Sequence, residues 1–460
     1  MNKKIIAYIP GGINLRLSWL MLALGIIPIF TFFSGFINAV NVENESPNFW
    51  ECSFLGEPTD RHADLVKSTL ALYSGPPLET WDWSPHYRTF YEHNYYGKME
   101  DVPKGRLTPF SLPPLTLLIA TGWLQEILWT GPLFVVATHY ILACLLMGFL
   151  CWALIVDRKE QIFAFISLML SYPFLIILTT GNYPALFVGV SLILYIYLAC
   201  NRRHFIWTVV LLAIACNMRP NAILLAPLLL CFGLRKAIMA SALLFVIGGA
   251  IALVSYEILT VIYPGYSLGI FLKALSIYYQ LYVVGMMGDF NNSALYGTIK
   301  FLYRSLFLEQ DPDVLMIINK SIGCVVVGFI TWFSFKFWRG RIPAYHFALA
   351  LVCLYILGST VVAPYHLLVL YVFIFMAGSN PSGISTFPLL PVIVAVAVLI
   401  PKSYFFFYPA ISCEGILNAL VLSVGFVWIL TSDSSSVSQS GSLVEVATGE
   451  IGKKIGKHGK

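Results

Sequence analysis

PALFVGVSLILYIYLAC (Pro184–Cys200), NRR (Asn201–Arg203) and FIWTVVLLAIAC (Phe205–Cys216) stand almost end to end in the chain. Two uncharged apolar runs flank a short basic turn. The first run is close to the ~20 residues that a helix needs to cross a ~30 Å hydrocarbon core. Arginines in short loops mark the cytoplasmic side of a membrane, so this turn orients both runs with their other ends outside.

The same alternation recurs on either side. Apolar runs cover about Leu17–Val40, Gly131–Val156, Ile162–Leu178, Ala222–Gly233, Ala237–Ile262, Val314–Phe335, Ala344–Val361, Tyr365–Ala377, Phe387–Ile400 and Gly415–Leu430. Together with the quoted pair they predict an all-α polytopic membrane protein of about twelve spans. Asp157-Arg158-Lys159, Leu234-Arg235-Lys236 and Lys336 to Arg341 fall on the same side as Arg202 and Arg203. Lys3, Lys4 and Arg16 precede the first run, so both termini are expected in the cytoplasm. A cleaved signal peptide is the competing reading of the first run, which is about twice the ~7–15-residue apolar core of such a peptide.

Composition agrees. The 460 residues are 58% hydrophobic and only 11% charged, with a mean hydropathy of +0.79, and no separate water-soluble domain is visible. The formal charge of +5 sits largely in short loops and the tail, which argues against a nucleic-acid partner. Nine cysteines are scattered, mostly in apolar runs (Cys144, Cys151, Cys216 and Cys353 among them), where they read as small core hydrophobes. Cys52 and Cys413 both fall in outer segments, and spacing leaves open whether they pair. One domain over 1–431 is expected, followed by a disordered cytoplasmic tail over 432–460, Ser- and Gly-rich with terminal lysines and a weak attraction to anionic membrane lipids.

Three runs, those near Phe205, Ala222 and Tyr365, are shorter than ~17 residues and have a proline at or beside the outer end. Broken helices survive in lipid only where protein or a water-filled cavity covers them, so these are expected to line a cavity that opens outward. The first outer loop, 41–130, is long, acidic and aromatic, and loops of that length in compact proteins are usually functional. Its Leu112–Leu128 part is amphipathic enough to lie in the interface. The aromatic residues between Trp81 and Tyr96 read as an interfacial belt or as stacking platforms for a sugar ring.

Once the runs are phased, unusual polar residues collect outside: Asp64 in Arg61-His62-Ala63-Asp64-Leu65, Asn182, Arg219, Asn291 and Asn292, Lys300, and Tyr365-His366. Ionisable groups near a membrane are functional candidates by default. A carboxylate, a histidine and cations on one face suit acid–base chemistry on a lipid-linked phosphate: the carboxylate takes a hydroxyl proton, the cation stabilises a leaving phosphate. Each also has a structural explanation. Asp64 can pair with Arg61 or Lys67 or cap a helix, His366 can hold a backbone carbonyl, Arg219 can snorkel, and Asn291-Asn292 can be a turn. No metal-ligand spacing occurs in these loops, and Asp311-Pro312-Asp313 reads as a turn before a helix.

In order along the chain, His62-Ala63-Asp64-Leu65, Thr108 to Leu115, Thr180-Gly181-Asn182, Met218-Arg219-Pro220, Asp289 to Gly297 and Pro364-Tyr365-His366-Leu367-Leu368 resemble the outer motifs of GT-C membrane glycosyltransferases. The likeness is nearest to glycosyltransferase family 87, the polyprenyl-phosphate mannosyltransferase-like proteins. It implies an inverting transferase that moves a hexose, often mannose, from a polyprenyl-phosphate donor to a lipid or glycan acceptor outside the cytoplasm. The lipid-linked sugar would be a co-substrate, with no other cofactor and no metal. Asp64 would be the general base, His366 a second catalytic polar group, and Arg219 with Lys300 would neutralise phosphate. Asn182, Asn291, Asn292 and Tyr365 would contact substrate. The family usually has Lys-Pro where Arg219-Pro220 stands here and Gly-Gln where Gly181-Asn182 stands. A transporter or flippase using the same cavity, and a ligase or polymerase taking a diphosphate-linked glycan, are the alternatives.

Overall fold

The quoted stretch forms a helical hairpin. Tyr183–Cys200 is an α-helix capped by Asn182, whose side-chain oxygen accepts from the Ala185 amide at 3.0 Å, and Pro184 stands in the first turn, where its missing N–H is harmless. The helix closes at Asn201, and the turn passes through left-handed backbone at Arg202 (φ 54°) and His204 (φ 48°). A left-handed conformation costs a side-chain-bearing residue roughly 1–2 kcal/mol, so this turn is held by what surrounds it. Thr208 contributes, its hydroxyl donating back to the Arg203 and His204 carbonyls. The next helix, Phe205–Met218, packs against the first.

In this computed structural model the described residues are 26, 113–116, 118–119, 132–155, 157–180, 182–262, 267–279, 283, 292–306, 311–379, 389–400, 406–408, 411–412 and 414–431. Nearly all of the first apolar run and most of the 41–130 loop, the 432–460 tail, Cys52 and Cys413 therefore lie outside them. In chain order the helices are α1 (Pro132–Leu154), α2 (Arg158–Met169), α3 (Tyr172–Thr180), α4 (Tyr183–Cys200), α5 (Phe205–Met218), a 3-10 helix over Pro220–Phe232, and α6 (Leu234–Ile262). There follow α7 (Leu268–Tyr279), α8 (Leu295–Leu306), α9 (Pro312–Trp338), α10 (Ala344–Leu357), a second 3-10 helix over Pro364–Leu370 that runs into α11 (Tyr371–Gly378), α12 (Leu389–Leu399) and α13 (Glu414–Thr431). A short antiparallel ladder pairs β1 (Phe406–Tyr408) with β2 (Ile411–Ser412).

Among the described residues three helices, α4, α6 and α9, are long and apolar enough to cross a membrane, and α2 with α3 makes a fourth such unit bent by 58°. The Ile162–Leu178 run, expected as one span, is thus two helices. Ser171 returns its hydroxyl to the Leu168 carbonyl at 2.8 Å and Pro173 restarts the chain in a new direction. Several other runs form shorter apolar helices, among them Phe205–Met218, Pro220–Phe232, Ala344–Leu357 and Pro364–Gly378. Burial sorts the long ones: 67% of the apolar window of α4 is inside the bundle, against 17% for α6 and 11% for α9. Helices α6 and α9 are outer staves, while α4, α10 and the 364–378 segment form the centre. There Phe347 to Leu357 and Leu367 to Ala377 are buried without interruption.

The short runs have a physical explanation. Arg219 precedes a proline, is excluded from helical geometry by that ring, and sits extended at φ −144°, ψ 96°. Beyond it the 13 residues Pro220–Phe232 wind as a 3-10 helix, and at ~2.0 Å per residue they reach roughly 26 Å, most of a hydrocarbon core. Side chains three apart eclipse in such a helix, and the buried residues Ala222, Leu225, Leu228 and Cys231 fall on that spacing. Asp311-Pro312-Asp313 is a helix start as the sequence indicates, Asp311 accepting from the Asp313 amide at 2.8 Å. The sequence pattern passed over α7 and α8, which carry polar residues amid apolar ones and read as loop.

Candidate functional site

The chain between α10 and the second 3-10 helix, Ser359 to Ala363, is extended and is gripped from several sides. The Arg219 guanidinium donates from Nη2 to the Val361 carbonyl at 2.8 Å and from Nε to Asn221 Oδ1 at 3.0 Å. Asn221 Nδ2 donates to Ser359 Oγ at 2.5 Å, and Ser359 donates onward to the Tyr355 carbonyl at 2.6 Å. Asn292 takes the other edge. Its Nδ2 donates to the Thr360 carbonyl at 3.1 Å, while its Oδ1 accepts from the Val362 amide at 2.9 Å and the Ala294 amide at 3.0 Å. The Ser293 amide donates to the Val362 carbonyl at 2.9 Å, so the asparagine and its neighbour extend the link as a strand would. Asn319 on α9 accepts from Thr360 Oγ1 at 3.3 Å, and Asn418 on α13 donates to Ser293 Oγ at 3.2 Å.

Five polar side chains from four separate stretches of sequence thus converge on or beside one link. In an apolar bundle every backbone N–H and C=O outside a helix needs a partner, and the link obtains its partners from side chains. Glycines permit the fit. A Cβ on Gly297 would meet the Asn292 side chain, and one on Gly415 would meet the Asn292 backbone.

His366 follows the link directly. Its amide donates to the Ala363 carbonyl at 3.0 Å and its ring meets Tyr365 edge-on at 4.3 Å. Its Nδ1 is buried and has no hydrogen-bond partner among the described residues. Asn182 caps α4 two turns ahead of Gly189, whose Cα packs on Leu368, which puts the cap at the same end of the bundle as His366. Lys300 lies two turns along α8 from Ser293 and is fully buried. Asp64 and Asn291 lie outside the described residues.

The structure therefore joins Arg219, Asn292 and the segment carrying Tyr365 and His366. Asn292, expected as a substrate contact, is 4% exposed, and its amide is engaged on both the Thr360 carbonyl and the Val362 amide of the link. Sequence reading missed Asn221, Asn319, Ser359, Thr360 and Asn418. Asn418 carried the plainest signal, a lone amide within the apolar run Gly415–Leu430.

Arg219 is the chemically open member. A guanidinium has five N–H groups. Two are engaged by Asn221 and Val361, which leaves three, and among the described residues no carboxylate pairs with it. Its carbon lies 5.8 Å from the centre of the Tyr355 ring. The other end of the bundle is different: Arg158, Lys159, Arg202, Arg203, Arg235 and Lys236 are exposed there, and Lys336 Nζ lies 3.7 Å from the centre of the Trp332 ring.

Fold and site together define a bundle of apolar helices, several long enough to span a membrane, with a polar node at one end built round a half-buried cation. No known protein family, curated protein or solved structure matches the chain.

Proposed function

We propose that the chain is an integral-membrane glycosyltransferase of the GT-C class, of about twelve spans with both termini in the cytoplasm of a plasma or inner membrane. It moves a hexose, mannose in the first instance, from a polyprenyl phosphate to a lipid or glycan acceptor on the outer side, with inversion. Arg219 carries the reading: a half-buried guanidinium without a carboxylate partner among the described residues, at the polar end of apolar helices, suits an anionic group whose tail lies in the membrane. The lipid phosphate leaves as Arg219 neutralises its charge. His366, just past the link and with an Nδ1 that has no partner among the described residues, can bind the phosphate or the acceptor hydroxyl. Asp64 takes the general-base role by resemblance.

The test is mannosyl transfer from a labelled polyprenyl-phosphate mannose by the full chain in proteoliposomes containing a membrane glycolipid extract. Removing a general base typically lowers a rate by about 100- to 10,000-fold, and Asp64→Asn is expected to do so without loss of folded protein. Undiminished transfer by that variant removes Asp64 from the mechanism. Counterflow of the labelled lipid in vesicles lacking an acceptor would favour a flippase.

A further inference from the structure

We infer that the Tyr355 hydroxyl is a second ligand-contacting group beside Arg219, donating to an oxygen of the same lipid phosphate; the ligand class rests on the reading above. Tyr355 is 1% exposed, and its hydroxyl has no hydrogen-bond partner among the described residues. That sets it apart from its peers. Tyr195, equally buried, donates to the Leu225 carbonyl at 2.8 Å, Tyr296 to the Val283 carbonyl at 2.5 Å, and Tyr371 to the Ser167 carbonyl at 3.3 Å. A phenol sealed in an apolar bundle without a partner carries its full desolvation penalty, and phenylalanine would fill the same space without it.

The backbone that carries the ring is also held at the link. The Tyr355 carbonyl accepts from Ser359 Oγ, Ser359 is held by Asn221, and Asn221 by Arg219, whose guanidinium lies over the ring at 5.8 Å. The Arg219 side chain and the Tyr355 backbone are therefore both tied to the link, and both residues bring donors that no described residue uses. Their complement is a group that only accepts and carries negative charge. A phosphate has several such oxygens and can take the guanidinium on one and the phenol on another. A neutral sugar hydroxyl could exchange hydrogen bonds with the phenol but offers no charge to the guanidinium, which has no acceptor of its own.

The same substitution at two tyrosines tests this, with opposite signs expected. Full-length chain in detergent is melted as wild type, Tyr355→Phe and Tyr195→Phe, alone and with polyprenyl monophosphate, unphosphorylated polyprenol or inorganic phosphate. Tyr355→Phe is expected to melt higher than wild type by roughly 1–4 °C, because it removes an unsatisfied buried hydroxyl. Tyr195→Phe, which removes a buried hydrogen bond to the Leu225 carbonyl, is expected to melt lower. Polyprenyl monophosphate should stabilise wild type and Tyr195→Phe alike, and its affinity for Tyr355→Phe should be about 10- to 100-fold weaker.

A lower melting temperature for Tyr355→Phe would reveal a resident partner, such as a bound water, and overturn the inference. So would equal affinity of that variant and wild type for the lipid phosphate, which leaves the wider reading standing. Equal stabilisation of wild type by inorganic phosphate would assign the site to a free anion. A wild type that responds to no phosphate compound overturns the reading and the inference together, even if the thermal gain in Tyr355→Phe is seen.

Discussion

Replacing Asn292 by alanine should unlatch the link. The carboxamide satisfies the Val362 and Ala294 amides and the Thr360 carbonyl. Val362 and Ala294 are both fully buried, so no solvent can replace the lost acceptor. Leaving a buried amide unpaired costs about 1–3 kcal/mol, and two such amides give about 2–6 kcal/mol before any cavity is counted. The neighbouring Asn319 supplies the internal comparison: its contacts are longer, 3.3 and 3.5 Å, and it is half-buried, so Asn319→Ala should lose no more than about 1 kcal/mol. Unfolding can be read without ligand or activity from the buried thiols of Cys151, Cys231 and Cys353, which become reactive only as the bundle opens. The expected order of thermal stability is wild type, then Asn319→Ala, then Asn292→Ala well below both. If Asn292→Ala unfolds within about 1 °C of wild type, the clamp is not a structural element and Asn292 returns to being a candidate substrate contact.

Gly415→Ala should destabilise by about 1–3 kcal/mol, because a methyl there meets the Asn292 backbone, whereas Gly323→Ala, pointing into open space on α9, should be neutral or mildly stabilising; thiol-detected melting separates them. Asn182→Ala should lower stability by about 1 kcal/mol through loss of the α4 cap, and Asn182→Asp, which keeps the accepting oxygen, should recover most of it in the same assay. Arg219→Lys keeps the charge but loses the fork that reaches Asn221 and Val361 together. It should melt lower than wild type yet still bind polyprenyl phosphate within about 10-fold, while Arg219→Gln should lose that binding in a lipid pull-down.

The helical, membrane-type character was legible because it depends on composition and on run length, which survive without tertiary information. Asn182, Arg219 and His366 stood out for a similar reason, as polar groups beside proline or helix breaks at the ends of apolar runs. Asn292 was noticed as a substrate contact, whereas its carboxamide is engaged on the backbone of the link. Whether an amide faces a ligand or a backbone carbonyl depends on what packs opposite, and here that is Thr360 to Val362, about seventy residues away. Tyr355 gave no signal at all, being one tyrosine among many in apolar runs. Its distinction lies in having no hydrogen-bond partner among the described residues, which only the assembled bundle discloses. The α2–α3 bend was hidden because Ser171 and Pro173 are both tolerated inside apolar runs, and their joint effect on direction is a matter of local backbone geometry.

The stretched winding of Pro220–Phe232 sets where Arg219 stands. At the ordinary α-helical rise of ~1.5 Å the same 13 residues would be shorter by roughly 6 Å. With the far end anchored at the turn into α6, that difference is a depth: rewinding would draw the guanidinium inward by about one helical turn, away from the lipid surface and off the Val361 carbonyl. Pro227 opposes it, since its ring would strike the Ile223 carbonyl in an α-helix and it has no N–H to close the new hydrogen bond. One proline in the middle of an apolar helix thereby works as a spacer that keeps the cation at its working height.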